Sequence, residues 1–403
     1  MAQVIQYKYI LNSISWIYDG KETVIIPESV KSMIFEYDYD NANRPIIYLN
    51  INLKSSLYNK MRLHKDDSKI LLVLNKYNIN EENAAKIVDI KDQFDYIIPG
   101  NDKDYTEDLT EEADTEEESY RSVVIGLIQS ESLENNNKEI DSGWFKNVNK
   151  AGLLLYGLPD NKKICIESFE VDEKYDVVLI PPTKRVSEYT QYIHEYADDL
   201  YDGGYRFFDD FDILYILSQN GNYTPNGSTD YGTIIVDIRS LLDSVSINNG
   251  MIKDSDSSSY SIYLDGSDIS FNDNEGLHSM DVGKYTLVNN DGTTKDVKVN
   301  SDNTVSRYSG KAYKRTFNND KHTGTNTKTD VEMYNTTLSF SKAQIDPSLI
   351  TPNKEYQVKC FEEYSKYNGK YILSKKRVNL IIENGEYVPT TTVSLRKVVN
   401  KPQ

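Results

Sequence analysis

Residues 181–220 read PPTKRVSEYTQYIHEYADDLYDGGYRFFDDFDILYILSQN. Val186, Tyr189, Ile193, Tyr196, Ala197 and Leu200 recur at steps of three and four, which puts them on one face of a helix. Gly203 and Gly204 follow, and glycine lets a chain leave a helix through positive φ. Tyr205, Phe207 and the run Phe211 to Leu217 are strand material, rich in aromatic and β-branched side chains. The stretch therefore predicts one amphipathic helix, a glycine turn and a short aromatic hairpin. Almost everything on either side of it reads as strands and loops, so it predicts a joint between two β domains.

Upstream, Ile14 to Tyr18 and Thr23 to Ile26 flank Asp19-Gly20, a tight-turn signal. Ser32 to Asp40 alternates, with Met33, Phe35, Tyr37 and Tyr39 on one face, and Ile46 to Leu53 alternates again. A short helix is expected over Ser55 to Leu63, then strands over Lys69 to Lys76 and Tyr120 to Gln129. Ser130 to Asp141 reads as a polar stretch. Gly152 to Leu158, Lys163 to Phe169 and Tyr175 to Ile180 are expected strands, and Pro181-Pro182 stops the last of them. Residues 100–119 carry ten carboxylates and one lysine. Such a segment buries too little apolar surface to offset chain entropy, and it lacks the carboxylate-glycine spacing of a calcium loop, so a mobile acidic loop is expected.

Downstream, strands are expected at Thr233 to Ile238, Tyr260 to Leu264, Lys284 to Val288, Thr293 to Val299, Val331 to Ser341 and Glu355 to Glu363. Lys370 to Lys375 is expected to pair with Val378 to Glu383, and residues 300–328 read as a long loop. The fold class is thus mainly β: two antiparallel β domains, each a barrel or a sandwich, 1–181 and 221–403, joined by the helix-plus-hairpin element 182–220.

Composition bounds the function. The chain has 403 residues and a formal charge of −18, which argues against binding nucleic acid by phosphate neutralisation and suits a surface that DNA passes without sticking. The 32 tyrosines against 11 phenylalanines fit either partly wet interfaces or a base-composition bias. Cys165 and Cys360 form neither a disulfide framework nor a zinc pattern. No signal segment or membrane anchor is expected, which places the chain in a cytosol. No phosphate loop or nucleophile elbow occurs. His64, His194, His278 and His322 stand singly, and His194 reads as an ordinary helix residue. Asp209, Asp210 and Asp212 could mimic a glycosidase carboxylate pair, but they fall where a hairpin turn is expected. No residue is assigned a catalytic, cofactor-binding or metal-binding role, and no enzyme activity is expected.

Two segments carry a family resemblance. SEYTQYIHEYADDLYDGGYRFFDDFDILYIL, residues 187–217, and ITPNKEYQVKCFEEYSKYNGKYILSKK, residues 350–376, resemble baseplate hub proteins of contractile phage tails, related to the hub half of type VI secretion spikes. In that family a helix, a glycine and an aromatic hairpin join two tail-tube-like barrels. A Thr-Pro-Asn segment like Thr351-Pro352-Asn353 opens a late strand, which a Tyr-x-Gly-x-Tyr piece like Tyr367 to Tyr371 continues. The acidic loop at 100–119 and the lack of a needle or lysozyme-like extension depart from the pattern, so the spike would be a separate polypeptide. The resemblance implies a homotrimer in the virion, assembled in the host cytoplasm. Its ring of six barrels would adapt a six-fold tube to a three-fold spike and let DNA pass. The implied partners are a tail tube or tube-initiator protein, a spike protein and baseplate wedge proteins. Another tail component (tube, tube or sheath initiator, wedge) and a glycan-binding or glycan-hydrolysing module are the rival readings.

Overall fold

The computed structural model describes residues 3–80, 86–98, 119–169, 174–182, 185–196, 200–201, 205–218, 233–239, 251–253, 259–265, 269–272, 285–289, 294–297, 320–323, 336–343 and 345–398. The acidic loop expected at 100–119 lies outside them except for Ser119, as do the polar link at 220–232 and most of 300–328. The first strands are β1 (Gln3–Ile5), β2 (Tyr7–Tyr18), β3 (Lys21–Ile25), β4 (Val30–Asp38) and β5 (Ile46–Lys54), followed by helix α1 (Ser55–Leu63). Then come β6 (Ser68–Asn78), β7 (Ile87–Ile97) and β8 (Tyr120–Gln129). A connecting unit holds α2 (Ser130–Asn137), β9 (Gly143–Val148), α3 (Lys150–Gly157), β10 (Lys163–Ile166), β11 (Tyr175–Ile180), α4 (Val186–Tyr196), β12 (Tyr205–Asp209) and β13 (Ile213–Ser218). The rest comprises β14 (Thr233–Arg239), β15 (Met251–Lys253), β16 (Tyr260–Asp265), β17 (Ile269–Asn272) and a small sheet of β18 (Tyr285–Asn289), β19 (Thr294–Val297) and β20 (Asp320–Thr323). It ends with β21 (Thr337–Ala343), β22 (Glu355–Cys360), β23 (Gly369–Glu383) and β24 (Glu386–Lys397).

Eight strands close a barrel in the order β23-β4-β5-β8-β7-β6-β2-β24, every neighbouring pair antiparallel. The fold is mainly β, as the alternation in β4 and β5 predicts. Eight strands leave an interior just wide enough for side chains, and here they fill it. Met33, Leu49, Ile51, Ile70, Leu72 and Leu127 are wholly buried. The barrel is a core and not a channel.

One end is closed by α1, which directly follows β5. Met61 of α1 is buried, and its carbonyl accepts from the Tyr96 hydroxyl at 2.6 Å. The Trp16 indole N–H is shared between Ser68 Oγ (2.9 Å) and the Tyr96 hydroxyl (3.2 Å), so a buried donor finds its partners. The expected Asp19-Gly20 turn joins β2 to β3, with φ of 48° and 69°, the double positive φ of a type I′ hairpin.

A second sheet runs β1-β15-β16-β14-β22-β23-β24-β21-β17. It is mixed, because β14 lies parallel to both β16 and β22. The strands that unite the two sheets are β23 and β24. Lys375 to Ile381 of β23 pair with β4 in the barrel, while Tyr371, Lys370 and Gly369 pair with β22 in the second sheet. The changeover is a bulge between Leu373 and Lys375, the device by which a strand bends away from one partner. Ser374 there gives its carbonyl to the Tyr39 N–H (2.9 Å) and its hydroxyl to Asp40 (2.6 Å). On β24, Tyr387 pairs with β2 and residues 390–396 pair with β21. Pro389 falls between them, where a missing N–H costs no ladder bond. Strand β1, from the start of the chain, joins the second sheet. Strands thus reach across the divisions drawn at 181 and 221.

Three expectations are corrected. The stretch 152–158 is not a strand: residues 152–157 lie in α3, which starts where Asn149 Oδ1 accepts from the Gly152 N–H at 2.9 Å, and Leu158 is its extended C-cap. An apolar run such as Leu153-Leu154-Leu155 has no period to tell strand from helix, and the capping asparagine decides it. Ser130–Asn137 is helical although polar. Lys370 to Lys375 and Val378 to Glu383 do not pair with each other; they are one continuous strand, whose partner β24 is reached through Asn384-Gly385 with φ of 54° and 84°.

The connecting unit has its own core of Leu153, Leu154, Ile180, Val186, Tyr189, Ile193, Phe207 and Ile216, among others. Val186, Tyr189 and Ile193 are the predicted helix face, and Leu200 beyond the helix is buried with them. α3 crosses α4 so closely that a Cβ on Gly157 would fall 2.3–2.8 Å from the Tyr189 ring. Tyr189 is wholly buried and its hydroxyl bonds the Leu153 carbonyl, so the ring has nowhere to retreat. Gly157→Ala is therefore expected to destabilise this unit by about 1–3 kcal/mol through overpacking, read as a lowered thermal midpoint.

Candidate functional site: a buried ionic joint at the barrel mouth

The β12–β13 hairpin closes the barrel end opposite α1, at the start of β5. Its turn, Asp210 to Asp212, forms as expected, with the Asp210 N–H bonded to the Ile213 carbonyl (2.9 Å). Asp209 N–H reaches the Asn43 carbonyl in the loop before β5 (2.7 Å). Phe208 packs on Tyr39 with ring centroids 4.5 Å apart, and Phe211 sets its edge against Tyr37 (6.3 Å) and Phe94 (6.0 Å). Phe208, Tyr215, Leu217 and Cys165 of β10 belong to the core shared by the barrel and the second sheet, not to that of their own unit.

Beneath the turn lies a cavity of about 230 Å³ lined by Tyr9, Tyr37, Asp89, Asp210, Tyr215 and Lys376 among others. It collects charge from three parts of the chain. Lys376 of β23 donates to the Pro347 and Ile350 carbonyls (3.1 and 3.0 Å) and lies 4.1 Å from the Tyr37 ring centre. Lys76 of β6 pairs with Asp89 of β7 (3.1 Å) and with Asp346 (3.4 Å), which itself caps the turn at Pro347–Leu349. Burial drives the Lys376 ammonium down to about 8 against the pull of Asp210, Asp346 and Asp89. Burial likewise pushes Asp210 and Asp89 above the usual carboxylate range despite nearby lysines. Burial alone would lower Lys76, but Asp346 and Asp89 outweigh it and hold it above its ordinary value.

Beside this cavity Lys162 is 2% exposed and bonds four acceptors: Gln129 Oε1 (3.0 Å), Ser132 Oγ (2.8 Å), the Asp210 carbonyl (2.9 Å) and the Asp209 carboxylate. Gln129 hands the network on, its amide donating to Asp92 (3.1 Å) and to the Phe211 carbonyl (3.1 Å). Burial pushes Asp92 up to about 6. A third link is Asp40, between Arg206 of β12 (3.8 Å) and Arg396 of β24 (3.6 Å).

The acids singled out in sequence, Asp209, Asp210 and Asp212, are thus brought to one place, but as the anchored tip of a hairpin. No local pattern marks Lys162, Lys376 or Asp89, because their partners lie far away along the chain. His194 Nδ1 accepts from the Leu200 N–H (3.1 Å) and tightens the end of α4. Cys165 is buried and Cys360 half-buried, and neither forms a disulfide. No group of three metal-ligating side chains is found among the described residues. Among those residues no helix is long and apolar enough to cross a membrane.

The fold and the joint define a β-barrel protein built of interlocked units, with buried charge placed where the units meet. The chain belongs to the family described as Bacteriophage PBS1 gene 109 protein, whose model matches residues 2–398. No curated protein matches it. Among solved structures it is similar to a tail protein from Neisseria meningitidis MC58, with 11% identity, 96% of each chain covered and a TM-score of 0.45. It is also similar to the 43 kDa tail protein of prophage MuSo2 from Shewanella oneidensis, with 10% identity, 96% of this chain and 98% of that one covered and a TM-score of 0.45. A third likeness is to an Escherichia coli type VI secretion component described as structurally similar to T4 bacteriophage tail proteins. It has 9% identity, covers 93% of this chain and 76% of that one, and scores 0.35.

Proposed function

We propose that the protein is a structural component of a phage tail baseplate and serves as its hub, without a catalytic step. Membership of a bacteriophage family supports a virion role, and the two segments 187–217 and 350–376 supply the resemblance to hubs. The observation that carries the reading is the hairpin β23–β24, which belongs to two β bodies at once. A chain that locks two strand-built bodies together suits a ring in which each subunit contributes a pair of them.

On this reading three chains close around an axis, with a tail tube or tube-initiator protein on one side, a separate spike on the other, and wedge proteins outside. Because the barrel is filled, DNA would travel along the axis between subunits and not through a barrel. The charge of −18 would let it pass unbound. Ring closure would also cover edges such as β17 and β1, which end the second sheet.

The test is the mass of the purified protein alone and with candidate tube and spike proteins from the same source, read together with negative-stain images. The expected result is a particle of three chains, ring-shaped, that captures the spike. A stable monomer indifferent to both partners would overturn the reading, and filaments would assign the chain to the tube instead.

A further inference from the structure

The hairpin that stops the barrel belongs to a unit with a core of its own. Leu153, Tyr189, Ile193 and Ile216 pack among themselves, while Phe208, Tyr215, Leu217 and Cys165, with Phe211 and Ile213 beside them, cross into the core that the barrel shares with the second sheet. Lifting the unit would leave its core intact, and the eight barrel strands would keep every neighbour they have. What resists lifting is a rim of aromatic contacts around a charged centre, and that centre is uneven. Among the described residues, Asp210 and Asp212 on the turn, Asp89 on β7 and Asp346 before the Pro347 turn face Lys76 and Lys376, with Lys162 beside Asp210 and already engaged by Asp209. The other ionisable groups there are the phenols of Tyr9, Tyr37 and Tyr215, which bring no positive charge. Acids therefore outnumber bases in a cavity with room for several waters.

We propose that this seat is a releasable joint: the described residues of the connecting unit, from α2 to β13, lift off the barrel mouth as one body while the barrel stays closed. Buried charge makes the seat weaker than an apolar seat of the same shape would be. A buried ion pair replaced by uncharged groups of similar volume often gains stability, whereas removing one partner alone is costly. The downward shift of Lys376 and the upward shift of Asp210 have the same origin, since both ions are held out of water. The inference does not depend on the hub reading, because it concerns one chain.

Cys165 reports on the joint directly. It is 3% exposed, pairs in register with Tyr215 and packs within the seat, so a thiol reagent reaches it only when the seat opens. In a Cys360→Ser background, a small neutral thiol reagent is expected to label Cys165 at least tenfold faster than global unfolding allows, with little dependence on low concentrations of denaturant. Lys376→Met, which removes the cation that acts most strongly on Asp210, is expected to speed labelling about tenfold while amide exchange in β5 and β8 stays unchanged. Lys376→Met with Asp210→Asn is expected to slow labelling below that of the parent. Labelling that tracks global unfolding in the parent, or a double variant no slower than the parent, would overturn the proposal. The parent's denaturant dependence decides the matter even if the single variant fails to fold.

Discussion

A chain ended after Asn368 is expected to lose both β bodies, not just the second. The missing hairpin supplies two of the eight barrel strands as well as the neighbours of β22 and β21. Tyr371, Leu373, Val378, Leu380, Tyr387, Val393 and Leu395 are all buried in the common core. At about 1.5–3 kcal/mol for each large apolar side chain buried, their loss amounts to roughly 10–20 kcal/mol. A whole domain is stable by only about 5–15 kcal/mol, so no folded remainder should survive. β4, and β2 ahead of its pairing with β3, would also be left as open edges, which invite aggregation. The measurement is solubility and the thermal transition of residues 1–368. A soluble product with a cooperative melt and the near-ultraviolet dichroism of a packed barrel would show that the first body stands alone, without β23–β24 to hold it together. The turn that joins the two strands should matter far less. Gly385 has a φ of 84° and open space around it, so Gly385→Ala meets only backbone strain, worth about 1 kcal/mol.

That contrast separates what local sequence encodes from what it does not. The clean alternation of Met33, Phe35, Tyr37 and Tyr39 announces β4, and Asp19-Gly20 announces the hairpin of β2 and β3, because both signals lie within a few residues. Asn384-Gly385 carries the same turn signal as Asp19-Gly20. With that signal weighed, the run 370–383 becomes one strand folding back on 386–397, rather than two short strands facing each other. β7 is hard to discern in sequence because Ile87, Val88 and Ile97 are exposed and blur the period. The sharing of one hairpin between two sheets has no local signal, since it depends on a bulge at Ser374 and on partners more than 300 residues away. The joint is a similar case. The cluster Asp209, Asp210, Asp212 and its turn are legible, but a single Lys162 or Lys376 in a sequence with 45 basic residues carries no mark of burial. Function is legible only through the two family-like segments, which say what kind of assembly to look for and nothing about which charges hold the units together.

Of those charges, Lys162 should be the most costly to remove. Lys162→Met is expected to destabilise the protein by about 3–5 kcal/mol, because it strands a buried carboxylate. Asp209 is 7% exposed, and Lys162 is the cation that bonds it. The Asp210 carbonyl and Ser132 Oγ lose a donor in the same step. The loss should depend on pH in a definite sense. Burial already holds the Asp209 carboxyl above its ordinary range while Lys162 pulls it down, so removing the lysine raises it further. A carboxyl whose folded value is raised is most favourable below its unfolded value of about 3.9, and its contribution is lost as pH rises through the folded value. The gap in stability between the variant and the parent should accordingly be small near pH 4–5 and widen towards pH 8. Lys162→Met combined with Asp209→Asn should recover most of the loss and flatten the pH dependence, since no buried charge is then left alone. Denaturant melts of the three proteins across that range would measure it. A gap that is the same at every pH, or a double variant no better than the single, would mean that the aliphatic packing of Lys162, and not its charge, is what binds the connecting unit to the barrel.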